Sequence, residues 1–85
     1  MLQYKESTHR FYVLSGEGGE EIAEMTFTRI SENKATIDHT FVQPSYQGQG
    51  IADSLLKRVV DKLKQEGREI IPICSFAIKR LSPPK

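Results

Sequence analysis

The chain has 85 residues, and its 12 lysines and arginines nearly balance its 11 aspartates and glutamates, which gives a formal charge of +1 with histidine neutral. This balance argues against a nucleic-acid-binding protein, which needs a surplus of basic residues on one face. Hydrophobic residues make up 38% of the chain and charged residues 27%. That is enough apolar material for a small core and too much for a disordered chain. We expect one domain over residues 1–85.

Cysteine content and hydropathy predict the compartment. The chain has one cysteine, Cys74, so an internal disulfide is excluded and a reducing cytoplasm is the expected location. The chain opens without the apolar segment of a secretory leader, and we expect no membrane span. His9, His39 and Cys74 lack metal-ligand spacing, so no metal site is expected. Residues 82–85 are predicted to form a flexible tail.

Three segments have the composition or alternation of β-strands. The first is rich in aromatic and β-branched residues. Along the second and third, apolar and polar residues alternate, which is typical of half-buried antiparallel strands. The segments are residues 9–14, 22–30 and 35–42, joined by predicted turns at 15–20 and 31–34. In the third, the alternation predicts that His39 shares the face of Ile37 and Phe41. The three strands would form a meander.

A long amphipathic helix is predicted after the loop that begins at Pro44. Aliphatic side chains recur along one stripe, and charged residues occupy the opposite side. The stripe comprises Ile51, Leu55, Leu56, Val59, Val60 and Leu63. Asp53 in the first turn and Lys62 and Lys64 in the last turn suit the helix dipole. Gly67 is well placed to end the helix in the left-handed conformation.

A further strand is predicted after this helix. Residues 70–74 are apolar on both faces, which suits a strand that is covered on both sides and parallel to the third. Pro72 removes one ladder donor, so we expect this strand to lie at an edge, to be bulged, or to separate from its neighbour. Residues 76–81 can add one helical turn. The predicted fold class is α+β, with an antiparallel meander and a right-handed β-α-β crossover.

The loop from Gln47 to Ala52 is the segment most informative about function. It delivers two glycines to a helix N-terminus, where unpaired N–H groups and the positive end of the dipole favour phosphate oxygens. The loop does not fit the GxGxxG dinucleotide pattern at its last position, and no Lys-Ser or Lys-Thr follows to make a P-loop. From these residues alone, a flexible turn that merely begins a helix is the alternative interpretation.

The segment 42–52, with the sequence VQPSYQGQGIA, resembles the acetyl-CoA signature of the GNAT superfamily of N-acetyltransferases. That signature is Gln or Arg, two residues, Gly, one residue, and Gly or Ala. Gln47, Gly50 and Ala52 fill those places, and the flanking strands and helix occur in the family's order. The resemblance covers about residues 22–81 and extends to the very small GNAT-like proteins that stand alone.

The resemblance implies a reduced GNAT fold with a splayed parallel strand pair. It also implies an N-acetyltransferase that moves an acetyl group from acetyl-CoA to an amine acceptor. In that family the signature loop holds the CoA diphosphate, and the pantetheine arm runs beside the preceding strand. The implied coenzyme-binding residues are Phe41, Val42, Gln47, Gly48, Gln49, Gly50, Ile51 and Ala52.

Two side chains are candidates for the chemistry of acyl transfer. The resemblance brings Cys74 and His39 to the parallel strand pair, and a cysteine at this place has been proposed as an acetyl carrier or as a neighbour of the thioester in small GNAT-like proteins. The alternatives are a purely structural cysteine and a core-facing, hydrogen-bonded histidine. Glu24 and Asp38 are further candidates for the base, with a solvated strand face as their alternative.

The acceptor side leaves a second function open. Larger GNAT enzymes wall the acceptor pocket with N-terminal helices and carry further C-terminal strands, which have no counterpart in this sequence. A module that binds CoA without significant turnover is therefore the alternative to an enzyme, and an interaction domain without a ligand is a third possibility. We expect a monomer with no nucleic-acid or membrane partner.

Overall fold

The computed structural model describes residues 2–16 and 19–81. The predicted tail at residues 82–85 lies outside the described residues, as do positions 17 and 18 of the first predicted turn. In chain order the elements are β1 (Gln3–Glu6), β2 (Arg10–Leu14), β3 (Glu21–Ser31), β4 (Lys34–Val42), a 3-10 turn (Pro44–Tyr46), α1 (Ile51–Gln65), β5 (Glu69–Pro72) and α2 (Ser75–Leu81). Within the described part of the chain, no helix is long and apolar enough to cross a membrane.

The strands form a single mixed sheet in the order β1-β2-β3-β4-β5. The first four are antiparallel neighbours, and β4 pairs with β5 in parallel. The predicted meander, long helix and parallel strand are confirmed. The strand β1 was not predicted, because its sequence is mostly polar. Tyr4 is the residue of this edge strand that contacts the core, and it pairs with the buried Val13 of β2.

The core lies between α1 and one face of the sheet. Phe11 and Val13 of β2 and Phe27 of β3 pack there, with the rings of Phe11 and Phe27 6.1 Å apart. The predicted aliphatic stripe of α1 faces this core, except that Val60 is only half-buried. The buried members are Ile51, Leu55, Leu56, Val59 and Leu63. Burying such side chains stabilises the domain by about 1.5–3 kcal/mol each.

The C-terminus of α1 is a Schellman motif, as the placement of glycine predicted. Gly67 has a φ of +74°, which only glycine adopts without strain. Its N–H donates to the carbonyl of Lys64 at 2.9 Å, and the N–H of Arg68 donates to the carbonyl of Leu63 at 3.0 Å. These bonds satisfy carbonyls that the helix leaves unpaired. They turn the chain back towards β5.

A bulge interrupts the pairing of β3 with β4. Phe27 pairs with Ile37, but the preceding residue Thr26 pairs with His39, so Asp38 is the extra residue. A bulge of this kind shifts the alternation of side chains by one position. The regular alternation predicted for the third strand is therefore wrong beyond Ile37.

Beyond the bulge the two faces of β4 are exchanged relative to the prediction. Thr40 and Val42 lie on the side of α1, where Val42 packs against the core. His39 and Phe41 face the opposite side of the sheet, where His39 is exposed and Phe41 is 44% exposed. The predicted placement of His39 on the face of Ile37 is thus wrong, and with it the alternative of a core-facing histidine; the bulge is the physical reason.

The strand β5 forms an edge of the sheet, as expected for a strand that contains proline. The N–H of Glu69 donates to the carbonyl of Asn33, just before β4, at 2.7 Å, and the N–H of Ile73, just after β5, donates to the carbonyl of Ile37 in β4 at 3.0 Å. The backbone N–H and C=O groups of successive residues point alternately to the two sides of a strand. The backbone groups at Ile70 and Pro72 therefore point away from β4, to the outer edge of the sheet. Pro72 therefore removes no hydrogen bond between β4 and β5. Because proline has no N–H, the free edge of β5 lacks one hydrogen-bond donor, which opposes pairing with the edge of another sheet.

Candidate active site

The loop between β4 and α1 presents a helix N-terminus without a side-chain cap. Gly48 and Gly50 adopt left-handed conformations, with φ of +84° and +79°. The N–H of Ser54 makes the first bond of the helix, to the carbonyl of Gly50 at 3.0 Å. The amides at positions 51–53 therefore have no intrahelical acceptor. No side chain at the N-cap accepts a hydrogen bond from them.

A cavity of about 190 Å³ lies beside this helix terminus. It is bounded by the end of β4, the signature loop, the first turn of α1 and one face of α2. Its lining comprises Val42, Tyr46, Gln47, Gly48, Gly50, Ile51, Ala52, Asp53, Phe76 and Arg80. Of the residues that the resemblance assigned to the coenzyme, Phe41 and Gln49 do not line the cavity. The free amides and the positive end of the helix dipole make this a place suited to phosphate oxygens.

Among the described residues, no strand pairs with the edge of β4 that leads to the cavity. Pairing of β4 with β5 ends where Ile37 meets Pro72, so the parallel strands splay apart beyond that point, as the fold class requires. The N–H of Gln43 donates to the carbonyl of Ile22 in β3 at 2.8 Å. By alternation, the backbone groups of Val42 face away from β3, towards the splay.

Gln47 links the signature loop to this free edge. Its side-chain Nε2 donates to the carbonyl oxygen of Val42 at 3.1 Å. The bond holds the first signature residue against the last residue of β4. It satisfies a carbonyl that the missing strand partner would otherwise leave unpaired.

Cys74 lies between β5 and α2 and is half-buried. Its sulfur is 3.4 Å from the hydroxyl oxygen of Thr40, and it accepts a hydrogen bond from the N–H of Ala77 at 3.4 Å. The thiol therefore lies on the α1 side of β4, beside the point where β4 and β5 separate. His39 faces the other side of the same strand, so the structure does not bring the two candidate side chains into one hydrogen-bonded pair.

The two candidate carboxylates are both half-buried and engaged. Glu24 accepts a hydrogen bond from Arg10 at 2.9 Å. Asp38 accepts bonds from the hydroxyls of Thr28 at 2.5 Å and Thr36 at 2.6 Å. The carboxylate of Asp38 thereby anchors the bulge in β4. Both lie on the sheet face that also carries His39.

Sequence reasoning missed the contribution of α2 to the cavity. Phe76 and Arg80 are four residues apart, so they occupy one face of a helix, and both line the cavity. Arg80 forms an ion pair with Asp53 of α1, with 3.2 Å between Nε and Oδ1. The available signal was the i, i+4 spacing of an aromatic and a cationic residue in a segment predicted only as a single turn.

The chain matches one protein family over most of its length. The sequence profile of the GCN5-related N-acetyl-transferase family matches residues 10–83. A GCN5-like candidate N-acetyltransferase from Staphylococcus aureus, known from a solution structure, is 35% identical with a TM-score of 0.73. The alignment covers 93% of this chain and 76% of that one. No curated protein matches the sequence.

More distant structures share the fold. A GNAT family acetyltransferase from Streptococcus pneumoniae is 23% identical with a TM-score of 0.66, and the match covers 88% of this chain and 55% of that one. An N-acetylglutamate synthase from Neisseria gonorrhoeae, complexed with coenzyme A and N-acetyl-glutamate, is 16% identical with a TM-score of 0.70 over 88% of this chain and 18% of that one. The family profile, the S. aureus structure and the shared fold together show that the chain belongs to the GCN5-related N-acetyltransferase family.

Proposed function

We propose that this N-acetyltransferase domain binds acetyl-CoA in the cavity beside α1 and transfers the acetyl group to an amine acceptor. The observation that carries the proposal is the loop-to-helix junction. Gly48 and Gly50 turn the backbone so that the uncapped amides of α1 open beside a cavity. A diphosphate can accept several of these N–H bonds at once and lies at the favourable end of the dipole. The coenzyme complex of the gonococcal synthase supports the same ligand class.

The free edge of β4 supports the placement of the pantetheine arm. The amide groups of pantetheine would bond to the backbone of Val42 and Thr40, as an added strand does. The backbone of Phe41 faces β3 by alternation, so its contribution to the coenzyme would come from its exposed side chain. An N–H of this edge would also polarise the thioester carbonyl and stabilise the oxyanion.

The acetyl transfer requires an amine in its neutral form. Its nitrogen attacks the thioester carbonyl, the tetrahedral intermediate collapses, and the CoA thiolate leaves while a base takes the amine proton. His39 is exposed on the sheet face opposite the cavity, where an acceptor can approach the splay. Cys74 lies on the other side, where its thiolate could accept the acetyl group first and pass it to the amine.

A second candidate function is coenzyme binding without significant turnover. The observation that favours it is the surroundings of Cys74, whose side-chain partner is the hydroxyl of Thr40 and whose other partner is a backbone N–H. Neither group is a base. Steady-state release of CoA from acetyl-CoA in the presence of a panel of amines separates the two. Release above the rate without amine supports the enzyme, and no increase across the panel supports the binding module.

Coenzyme binding itself is tested by a matched pair of charge substitutions at the two ends of α1. Gln49→Glu adds one negative charge to the signature loop, two positions before α1, and keeps the size of the side chain. Gln65→Glu makes the same change at the other end of the helix, about 20 Å away at 1.5 Å per residue. Calorimetric titration with CoA should show about tenfold weaker binding for Gln49→Glu and little change for Gln65→Glu. Equal affinities for the two variants would contradict the site.

A further inference from the structure

The ion pair between α1 and α2 places a guanidinium group beside the free amides of α1. Asp53 lies in the first turn of α1, and Arg80 lies in the last turn of α2. Both residues line the cavity, and Arg80 Nε is 3.2 Å from Asp53 Oδ1. The signature loop has no cationic side chain of its own. Arg80 is therefore the cation that lines the cavity in the described part of the chain.

We infer that Arg80 binds a phosphate group of the coenzyme and exchanges Asp53 for that phosphate when the coenzyme enters. This assignment rests on the function proposed above and adds a binding residue to the same site. The planar fork of guanidinium donors matches phosphate oxygens in a bidentate arrangement. The ribose phosphate and the diphosphate as a whole each offer more acceptor oxygens and more negative charge than a carboxylate.

The exposure of the ion pair makes the exchange possible. The side chains of Arg80 and Asp53 are 54% and 55% exposed, so solvent screens their attraction and the pair contributes little free energy. The guanidinium carbon of Arg80 also lies 5.1 Å from the ring centre of Phe76, one turn earlier in α2. This cation–π contact lets α2 hold the arginine near the cavity without the help of Asp53.

Asp53 acts in the opposite direction. Its carboxylate lies near the positive end of the α1 dipole, which is also the place proposed for the phosphate. The carboxylate therefore repels an incoming phosphate and competes with it for Arg80. Removing the charge of Asp53 should strengthen coenzyme binding, whereas removing the charge of Arg80 should weaken it. Changes of opposite sign cannot both arise from partial unfolding.

The experiment compares two coenzymes and four proteins by calorimetric titration. The ligands are CoA and dephospho-CoA, which lacks the ribose phosphate but keeps the diphosphate. The proteins are the wild type, Arg80→Gln, Asp53→Asn and the control Lys79→Gln. Lys79 is the neighbouring exposed cation of α2 and does not line the cavity. Its substitution removes the same charge from the same helix.

We expect Arg80→Gln to bind CoA about tenfold more weakly than Lys79→Gln, because a charge-assisted bond is lost. Asp53→Asn should bind CoA several-fold more tightly than the wild type. If Arg80→Gln loses affinity for CoA alone, Arg80 binds the ribose phosphate, and equal losses for both ligands assign it to the diphosphate. Equal affinity of Arg80→Gln and Lys79→Gln would overturn the assignment while the proposed function stands. A wild type that binds neither coenzyme would overturn both.

Discussion

Glu66, which follows the last residue of α1, joins the end of the helix to the sheet. Arg29 of β3 donates to both of its carboxylate oxygens, at 2.8 and 2.7 Å, and Arg68 donates to one of them at 2.7 Å. Arg29 also donates to the carbonyl of Thr8, and Arg68 donates to the carbonyl of Ser31. The hydrogen bonds from Arg29 and then Arg68 lower the pKa of Glu66 from 4.5 to about 2.

A carboxyl group whose pKa is lower in the folded state than in the unfolded state makes the free energy of unfolding depend on pH in the acid range. The contribution is present in full above the unfolded pKa and is lost as pH falls through the folded pKa. Glu66→Gln should therefore have a lower free energy of unfolding than the wild type at neutral pH. This difference from the wild type should shrink as the pH falls from 4.5 to about 2. Urea unfolding across this range measures the effect, with Glu32→Gln in the β3–β4 turn as the control. A deficit that stays constant over the range would contradict this role of Glu66.

Cys74 is the residue whose role is most directly measurable. If its thiolate attacks the thioester, incubation with acetyl-CoA and no acceptor should add the mass of one acetyl group to the wild type, because thiolates are strong nucleophiles. Cys74→Ala should gain no such mass, and His39→Ala serves as a variant that keeps the thiol. Intact-protein mass spectrometry gives the answer. Undiminished acetylation of Cys74→Ala would show that the acetyl group resides elsewhere.

His39 is predicted to act on the acceptor and not on the coenzyme. Its side chain is exposed on the sheet face away from the cavity, so His39→Gln should leave the affinity for CoA unchanged. If it is the general base, kcat should fall by about a hundredfold or more. Steady-state kinetics with an accepted amine separates kcat from the KM for acetyl-CoA. An unchanged kcat would remove His39 from the mechanism.

At the scale of the elements, α1 supplies one side of the core. Leu55 is fully buried in this interface, whereas Val60 is only half-buried. Leu55→Ala should lower the free energy of unfolding by about 2–5 kcal/mol, because it leaves a cavity. Val60→Ala should cost clearly less, because solvent already reaches that side chain. Denaturant unfolding of both variants measures the difference, and equal costs would contradict the packing described for α1.

The periodicity of the sequence predicted α1 and the meander but not the bulge in β4. The helix is well marked because many side chains repeat its period and Gly67 ends it. The alternation of apolar and polar residues, by contrast, does not reveal the bulge. Asp38 fits the alternation along the chain, although it is the extra residue between the pairs Thr26–His39 and Phe27–Ile37. The face assigned to His39 depended on that register. A bulge set by hydrogen bonds to Asp38 from two threonines could not be read from alternation alone.

At the scale of the whole molecule, the candidate site combines segments that are distant in the chain. The signature loop was identified from its own residues and from the resemblance that they carry. Phe76 and Arg80 join it only because β5 returns the chain parallel to β4 and α2 then packs beside the first turn of α1. Such a meeting depends on tertiary packing, so local sequence patterns identified the candidate phosphate-binding loop but not the arginine opposite it.

Coenzyme A titrated into isotope-labelled protein, followed by two-dimensional amide NMR, tests the central claim most directly. If the amides at the start of α1 hold the diphosphate, the signals of Gly48, Gly50 and Ile51 should shift most and should saturate with added coenzyme. The signals at the other end of α1, around Gly67, should stay in place. Signals of the loop that remain unmoved at saturating CoA would contradict the claim.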